Sequence, residues 1–474
     1  MPRPRSRNYP LLSAAAVVSQ LGSQSALIAS AFAVLSTGGT AGGVGLVATA
    51  RTVPMVLFVL VGGALADRIP RHRVMVAANA LSCVSQGAFG ALVLLTHAQL
   101  WQMVVLSALG GTGQALFGPA NEGMLLSSVD PARAGRAFAV YRMAVNGATI
   151  GGAAMGGALV AWVGPGWVLA VDSASFLVAG TLRTFLDLRD VPRRVPGAGV
   201  LDDLRDGWRE FVSRSWLWTI VAQFSVVNAV AVAGQAVYGP LVAHDHYGGA
   251  GPWGVANAAF GAGTLVGALT MTRWQPRRLL LAGTLGIFPF ALPLAALAVP
   301  VPAALLTCAM FVAGASVEVF GVGWMTALHQ EIPEEKLSRV SSYDWLGSMA
   351  LVPVATALAG PAQDAFGRGQ ALWGAAGLMV LLTGAVLFVP DVRTLRRRPH
   401  GGTPGVGAEP GAEGITPAET GAAAGRGPDR AAPPEAGDAA GPRGDGGGIV
   451  PPARHTAAGP GPSADAEGSV GRAG

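Results

Sequence analysis

Apolar residues in this chain do not alternate with polar ones. They run in long blocks, broken by short polar turns rich in arginine. The blocks fall at roughly 11–35, 43–66, 74–96, 101–123, 136–163, 167–188, 217–240, 253–273, 279–299, 302–327, 340–362 and 370–390. A helix that crosses hydrocarbon needs about 20 mostly apolar residues, so the pattern predicts twelve membrane-spanning helices. Pro353 and several glycines interrupt the eleventh block.

Composition strengthens this picture. Of 474 residues, 51% are hydrophobic and 12% charged, against about 25% charged in a soluble domain. A soluble protein with a large core would still need a charged surface, and residues 9–390 do not supply one. The formal net charge of +5 would ordinarily point towards nucleic acid. Here the arginines sit in clusters between apolar blocks, so a lipid bilayer is the expected partner and nucleic acid is not. Cys83 and Cys308 lie inside apolar blocks and offer neither a disulfide framework nor a thiolate metal site. The stretch after the basic opening MPRPRSRNYPLL is too long for a signal-peptide core and reads as a retained first span.

Orientation follows from basic residues flanking the spans. One set of turns holds Arg3, Arg5 and Arg7, then Arg68, Arg71 and Arg73, then Arg133 and Arg136. It continues through Arg189–Arg214, Arg273–Arg278, Lys336 and Arg339, and Arg393–Arg398, while the alternate turns hold only Arg368. Both termini are therefore expected in the cytoplasm. The longest internal loop, 189–216, divides the chain into a six-span bundle at 1–188 and another at 217–390. Within it LDDLRDGWREFV puts Leu201, Leu204, Trp208 and Phe211 on one face, the pattern of a short amphipathic helix at the bilayer edge. Gly63-Ala64-Leu65 and Gly267-Ala268-Leu269 occupy equivalent places in the two halves, as in transporters built by duplication. From 391 to 474 Gly, Pro and Ala dominate, and a disordered cytoplasmic tail is expected.

The stretch GGALADRIPRHRVM at 62–75 resembles motif A of the major facilitator superfamily. Gly63, Asp67, Arg68, Arg71 and Arg73 match it, with Pro70 where a glycine is usual. AVDSASFLVAG, LFGPANEGML, DGWREFV and HQEIPEEKLSRVSS are similar to its drug:proton antiporter branch, which includes macrolide and enterobactin exporters. The resemblance implies an all-α integral membrane protein of twelve helices in two pseudo-symmetric six-helix bundles. It implies export of a small amphipathic compound, a drug or secondary metabolite, by alternating access against an inward flow of protons. A monomer in the cell membrane, without cofactor, is expected. Two departures stand out: Ala153 replaces a common proline in the fifth span, and the fourth span carries no arginine. A proton-independent facilitator, a metabolite importer and a non-transporting sensor remain alternatives.

Asp67 is the one acid in its turn, and a topology signal needs no acid. It is expected to latch the cytoplasmic side against the N-terminus of the eleventh span, near Ser341 and Ser342, where the helix dipole is positive. Arg68, Arg71 and Arg73 are its charge partners or topology signals. Charges inside spans are costly and are functional candidates by default. Glu318, central in the tenth span, shares a face with Met310, Gly314, Gly321 and Met325. Desolvation favours the protonated form of a carboxyl, which suits a proton carrier; a contact to a cationic substrate or a structural hydrogen bond are the alternatives. Arg51 either pairs with an acid or snorkels, and Asp172 carries protons or holds a local hydrogen bond. Glu122, Arg142 and Asp344 read as interhelical pairs. Polar stripes point to a cavity lined by Ser23, Gln114, Asn121, Asn228, Gln235 and Asn257, with plain helix packing as the alternative. Gly152, Gly156 and Gly157 are expected to pack the fifth span closely, across the two halves. No phosphate-cradling loop is present, and His244-Asp245-His246 is too sparse for a metal site.

Overall fold

The computed structural model describes residues 8–66, 71–96, 98–129, 134–186, 200–274 and 276–397, and among these it is all-helical. The first half comprises α1 (Asn8–Ser36), α2 (Ala41–Ala66), α3 (Arg71–Leu95), α4 (Leu100–Ser127), α5 (Ala134–Val163) and α6 (Pro165–Thr184). A separate helix, α7 (Val200–Ser213), precedes the second half. There the seventh span is α8 (Ser215–Ala233), a π-helical turn (Gly234–Tyr238) and α9 (Gly239–His246). The eighth is α10 (Ala250–Arg273), the ninth α11 (Leu279–Gly286) and α12 (Leu292–Ala298), and the tenth α13 (Ala303–Glu331). The eleventh is α14 (Glu334–Met349) with α15 (Val352–Phe366), and the twelfth α16 (Arg368–Val386). Eleven of these, among the described residues, are long and apolar enough to cross a membrane. The remaining one, α4, is 28 residues long with Gln102 and Gln114 in its course, and at 1.5 Å per residue it measures about 42 Å.

The two halves repeat one packing plan. In the first, α2 packs on α4, α3 on α4 and α6, and α1 on α5 and α6. In the second, α10 packs on α13, α11 and α12 on α13 and α16, and α8 on α15 and α16. Each relation in the first half thus has a counterpart six spans later. Among the described residues, exposed tryptophans form two girdles: Trp101, Trp162, Trp167 and Trp373 at the arginine-poor end, and Trp208, Trp218, Trp274 and Trp345 at the arginine-rich end. Indoles favour the headgroup level of a bilayer, so the girdles mark the edges of an apolar band.

Three spans of the second half are not continuous α-helices. Pro289 and Pro293 replace a turn of the ninth with a 3-10 segment, Phe288–Ala291. In the eleventh, Pro353 has no N–H for the Met349 carbonyl, and the helix breaks between Met349 and Val352. Asn228 Nδ2 reaches across from α8 and donates to the Ser348 carbonyl at 3.0 Å. The helix that opens this span begins at Glu334, earlier than the apolar block at 340. Ser341 and Ser342 therefore lie in mid-helix, and the free N–H groups expected beside them belong to residues nearer Glu334. The run EEKLSRVSSYDW is too polar to place a helix start by the hydrocarbon rule. Packing on its apolar face at Leu337 and Val340 holds α14 instead.

α7 docks on α14. A Cβ on Gly207 would stand 2.9 Å from Arg339 Cβ, so only glycine permits this approach. Trp208 and Phe211 group with Tyr343, at ring distances of 5.4 and 6.1 Å. Glu210 accepts from Lys336 Nζ at 2.9 Å and from Arg214 at 2.8 Å. At the far end, residues 390–397 stay with the bundle through a helical turn, α17 (Pro390–Thr394), and an Arg397 N–H bond to the Arg277 carbonyl at 2.9 Å. The expected tail beyond 397 lies outside the described residues.

Candidate functional site

The two halves meet through α5 with α10 and α2 with α15. These contacts concentrate towards the arginine-poor end. A Cβ on Gly157 would lie 2.4 Å from Gly254 Cα, and one on Gly360 would lie 2.4 Å from Gly42 Cα. Thr49 and Thr356 share a hydroxyl–hydroxyl bond of 2.8 Å, and Thr49 also donates to the Pro353 carbonyl at 3.3 Å. The α5–α10 contact continues to Ile150 against Gly261. Past Ile150 the helices part: Asn146 and Met143 of α5 are exposed, and no atom lies within 4 Å of where a Gly147 Cβ would be. Among the described residues, the two halves touch at the arginine-poor end and part towards the other.

Inside the first half Arg51 of α2 and Asp172 of α6 are two buried, oppositely charged residues. Both are buried, at 8% and 1% exposure, and each is the other's charge partner within electrostatic range. They form no ion pair. Asp172 Oδ1 accepts weakly from Ser175 at 3.4 Å, and Oδ2 has no partner. Glycine makes the room: a Cβ on Gly22 would stand 2.5 Å from Asp172 Oδ1, and one on Gly111 would stand 2.1 Å from the Arg51 carbonyl. The sequence singles out these two residues separately; that they come within electrostatic range depends on the tertiary arrangement of the first half, which no local spacing reports.

In the second half Glu318 lies half-buried on α13 against α10, where Gly267 leaves it space. Among the described residues it has no hydrogen-bonding or charged partner. Next to it on the helix face, Gly321 borders open space, and Met325 is exposed. Behind this edge runs an aromatic stack. Phe224 lies 4.9 Å from Phe320, Phe320 6.1 Å from Trp324, and Trp324 5.5 Å from Trp216. Trp324 Nε1 donates to Asp344 at 3.0 Å, so Asp344 joins α14 to α13.

The remaining candidates disperse. Gln114 donates to Ser23 Oγ at 3.3 Å, joining α4 to α1. Asn121 is buried and donates to Tyr141 at 2.8 Å. Asn228 serves the break in the eleventh span, Asn257 donates to the Trp253 carbonyl of its own helix, and Gln235 lies in the π-helical turn. Gly152 and Gly156 pack on Leu21 and Ser25 of α1 within the first half; of the three span-5 glycines, Gly157 makes the crossing to the second. Of motif A, Gly63 lies in the last turn of α2 and Arg73 is exposed near the start of α3. Asp67 and Arg68 lie outside the described residues, as does the Arg71 side chain. Asp245 bridges His244 and Arg368, and Arg368 also donates to His246 Nε2 at 2.9 Å.

Sequence reasoning misses Arg183. It is 2% exposed, donates to Asn79 Oδ1 at 3.1 Å and lies 4.4 Å over the Phe117 ring. Its Nε and Nη2 have no hydrogen-bond partner among the described residues. Its place near the end of α6 makes it look like one more flanking arginine.

Twelve spans in two matched halves, sealed at one end and parted at the other, are the architecture of a membrane transporter that works by alternating access. Residues 12–348 match the family described as Major Facilitator Superfamily, and the chain belongs to it. It is 30% identical over 409 residues to the multidrug efflux pump Tap of Mycolicibacterium fortuitum, covering 80% of this chain and 95% of that protein. It is 27% identical over 407 residues to the protein of the same name from Mycobacterium tuberculosis strain H37Rv, covering 81% and 94%. In fold it is similar to the nucleoside transporter NupG, at TM-score 0.65 and 11% identity over 80% of this chain and 98% of that one. It is also similar to a bacterial homologue of the iron transporter ferroportin in an inward-facing state, at TM-score 0.64 and 12% identity over 82% and 99%.

Proposed function

We propose that this transporter exports a small amphipathic compound, a drug or secondary metabolite, in exchange for protons. The arginine-rich end, with both termini, faces the cytoplasm; the charge bias supports this orientation. The parted end is then open to the inside. The observation that carries the reading is Glu318: a half-buried carboxyl inside a span, without a partner among the described residues. An acidic side chain inside a span is costly to keep there and is a functional candidate by default. On the same helix face Gly321 borders open space and Met325 is exposed, an apolar surface that suits an amphipathic ligand. The named relatives, efflux pumps matched over nearly their whole length, support the direction of transport.

The test is accumulation of a fluorescent dye or antibiotic in inverted membrane vesicles, with and without an imposed pH gradient. Accumulation that follows the gradient is expected. Accumulation indifferent to the gradient would leave a facilitator instead.

A further inference from the structure

Arg368 is the one arginine or lysine in the turns of the arginine-poor end. A positive charge there runs against the bias that orients the chain, so a local contact has to account for it. Arg368 opens α16 and divides its guanidinium between the last two residues of α9. Nη1 donates to Asp245 Oδ2 at 2.6 Å and Nη2 to His246 Nε2 at 2.9 Å. We propose that this cluster senses acidity on the outer side: protonation of His246 undoes its bond to Arg368 and loosens α9, the piece of the second half that rests on α1. The proposal rests on the orientation taken in the transport reading, and adds to it a control by outside pH that is separate from Glu318.

The bond fixes a protonation state. A guanidinium has five N–H donors and no acceptor, so His246 Nε2 brings a lone pair and the imidazole is neutral, with its proton on Nδ1. A second proton would go to Nε2. Two N–H donors and two positive charges would then meet at that contact, and it would part. Histidine is the side chain whose charge ordinarily changes between about pH 5 and 8, and His246 is exposed, within reach of outside protons. The neighbouring groups do not restore the tie. Asp245 holds Arg368 with one oxygen and His244 Nδ1, at 3.2 Å, with the other, and a charged His246 would compete with Arg368 for that carboxylate. Tyr247 donates to the Val301 carbonyl at 2.7 Å. Asp364, one turn before Arg368 on α15, is exposed. α1 and the first half of α10 carry no charged residue.

The tie matters because of what α9 touches. It follows the π-helical turn and packs on α10 of its own half and on α1 of the first. Its start is fixed against α10, where a Cβ on Gly239 would stand 2.1 Å from Trp253 Cζ2. Arg368 fixes its end to α16. Loosening that end lets α9 lift from α1 and eases the parting of the halves on the outer side. An exporter driven by proton entry has most to draw on when the outside is acid, and the cluster answers to the same condition.

Hydrogen exchange of residues 239–250, in full-length protein in lipid nanodiscs, reads the tie without any substrate. Rates are normalised to those of an unstructured chain at each pH. From about pH 7.5 to about pH 5.5, across the histidine range, exchange in the parent should rise about threefold, the size open to one exposed charged contact. His246→Gln supplies an acceptor that does not titrate and should abolish the rise. His246→Lys carries a fixed charge and should exchange near neutral pH as fast as the parent does in acid. A pH response in His246→Gln equal to the parent's overturns the proposal, and so does parent-like slow exchange in His246→Lys near neutral pH. Dye accumulation in vesicles is a separate readout. If exchange behaves as expected while no dye follows a pH gradient, the sensor stands and the export reading falls. If dye follows the gradient while exchange ignores His246, the sensor alone falls.

Discussion

Gly157 and Gly254 cross backbone to backbone: a Cβ added to the first would stand 2.4 Å from the Cα of the second. This crossing, at the sealed end, sets how closely α5 and α10 approach. Gly157→Val should keep the seal from forming, because two methyls have nowhere to go. Insertion and yield should be near normal, since the other face of α5 still packs on α1. Turnover in vesicles should fall more than about tenfold, the cost of a closing step opposed by ~1.4 kcal/mol or more. Gly147→Val makes the control, being the same chemistry in the parted region.

Glu318→Gln removes the carboxyl but keeps its size. If Glu318 exchanges protons for substrate, the variant should still bind ligand while uphill accumulation is lost. Downhill exchange should persist within about twofold. Retained gradient-driven accumulation in Glu318→Gln would move the coupling role to another residue.

Glu210 joins α7 to α14. The hydrogen bond from Lys336, and next that from Arg214, hold its carboxyl below the usual range. A depressed carboxyl stabilises the folded form above its unfolded pKa, about 4.3. That contribution is lost as pH falls through the lower, folded value. α7 should therefore stay docked from neutral pH down to about 4 and loosen below it. Hydrogen exchange of 200–213 as a function of pH checks this, and Glu210→Gln should give faster exchange already at neutral pH.

Asn228→Ala leaves the Ser348 carbonyl without its donor at the break in the eleventh span. A polar side-chain bond within a membrane bundle contributes about 0.6 kcal/mol on average and up to about 1.7 kcal/mol, so a small drop in thermal stability is expected. Asn228→Asp should fall further, because besides losing the amide donor it places a carboxyl oxygen against the Ser348 carbonyl inside the bundle.

Much of the architecture is legible because hydrocarbon imposes a simple rule, that a spanning segment must be long and apolar. The twelve blocks and the arginine alternation need no tertiary information. The differences lie where that rule is silent. The eleventh block starts at 340 while α14 starts at Glu334, because Glu334, Glu335 and Lys336 are polar; a helix outside the hydrocarbon obeys ordinary packing instead. Arg183 looks like a topology signal because burial at a span end depends on neighbours such as Phe117 and Asn79. Arg51 and Asp172 stand out as costly charges, but that they lie within electrostatic range of one another belongs to the tertiary arrangement of the first half. Asn228 and Asn121 fall on polar stripes, yet both face neighbouring helices, a distinction that periodicity alone does not draw.

The π-helical turn at Gly234–Tyr238 occurs in the seventh span, while α1, its counterpart in the first half, runs unbroken from Asn8 to Ser36. A π turn holds one residue more than the α-helix it interrupts. Its position brings Tyr238 to the Ala359 carbonyl, at 2.7 Å, on the same partner span that Asn228 serves further along. The added residue puts the two ends of this span out of the register that an unbroken helix such as α1 would keep, and the span holds its neighbour at two places, once on either side of that neighbour's own break.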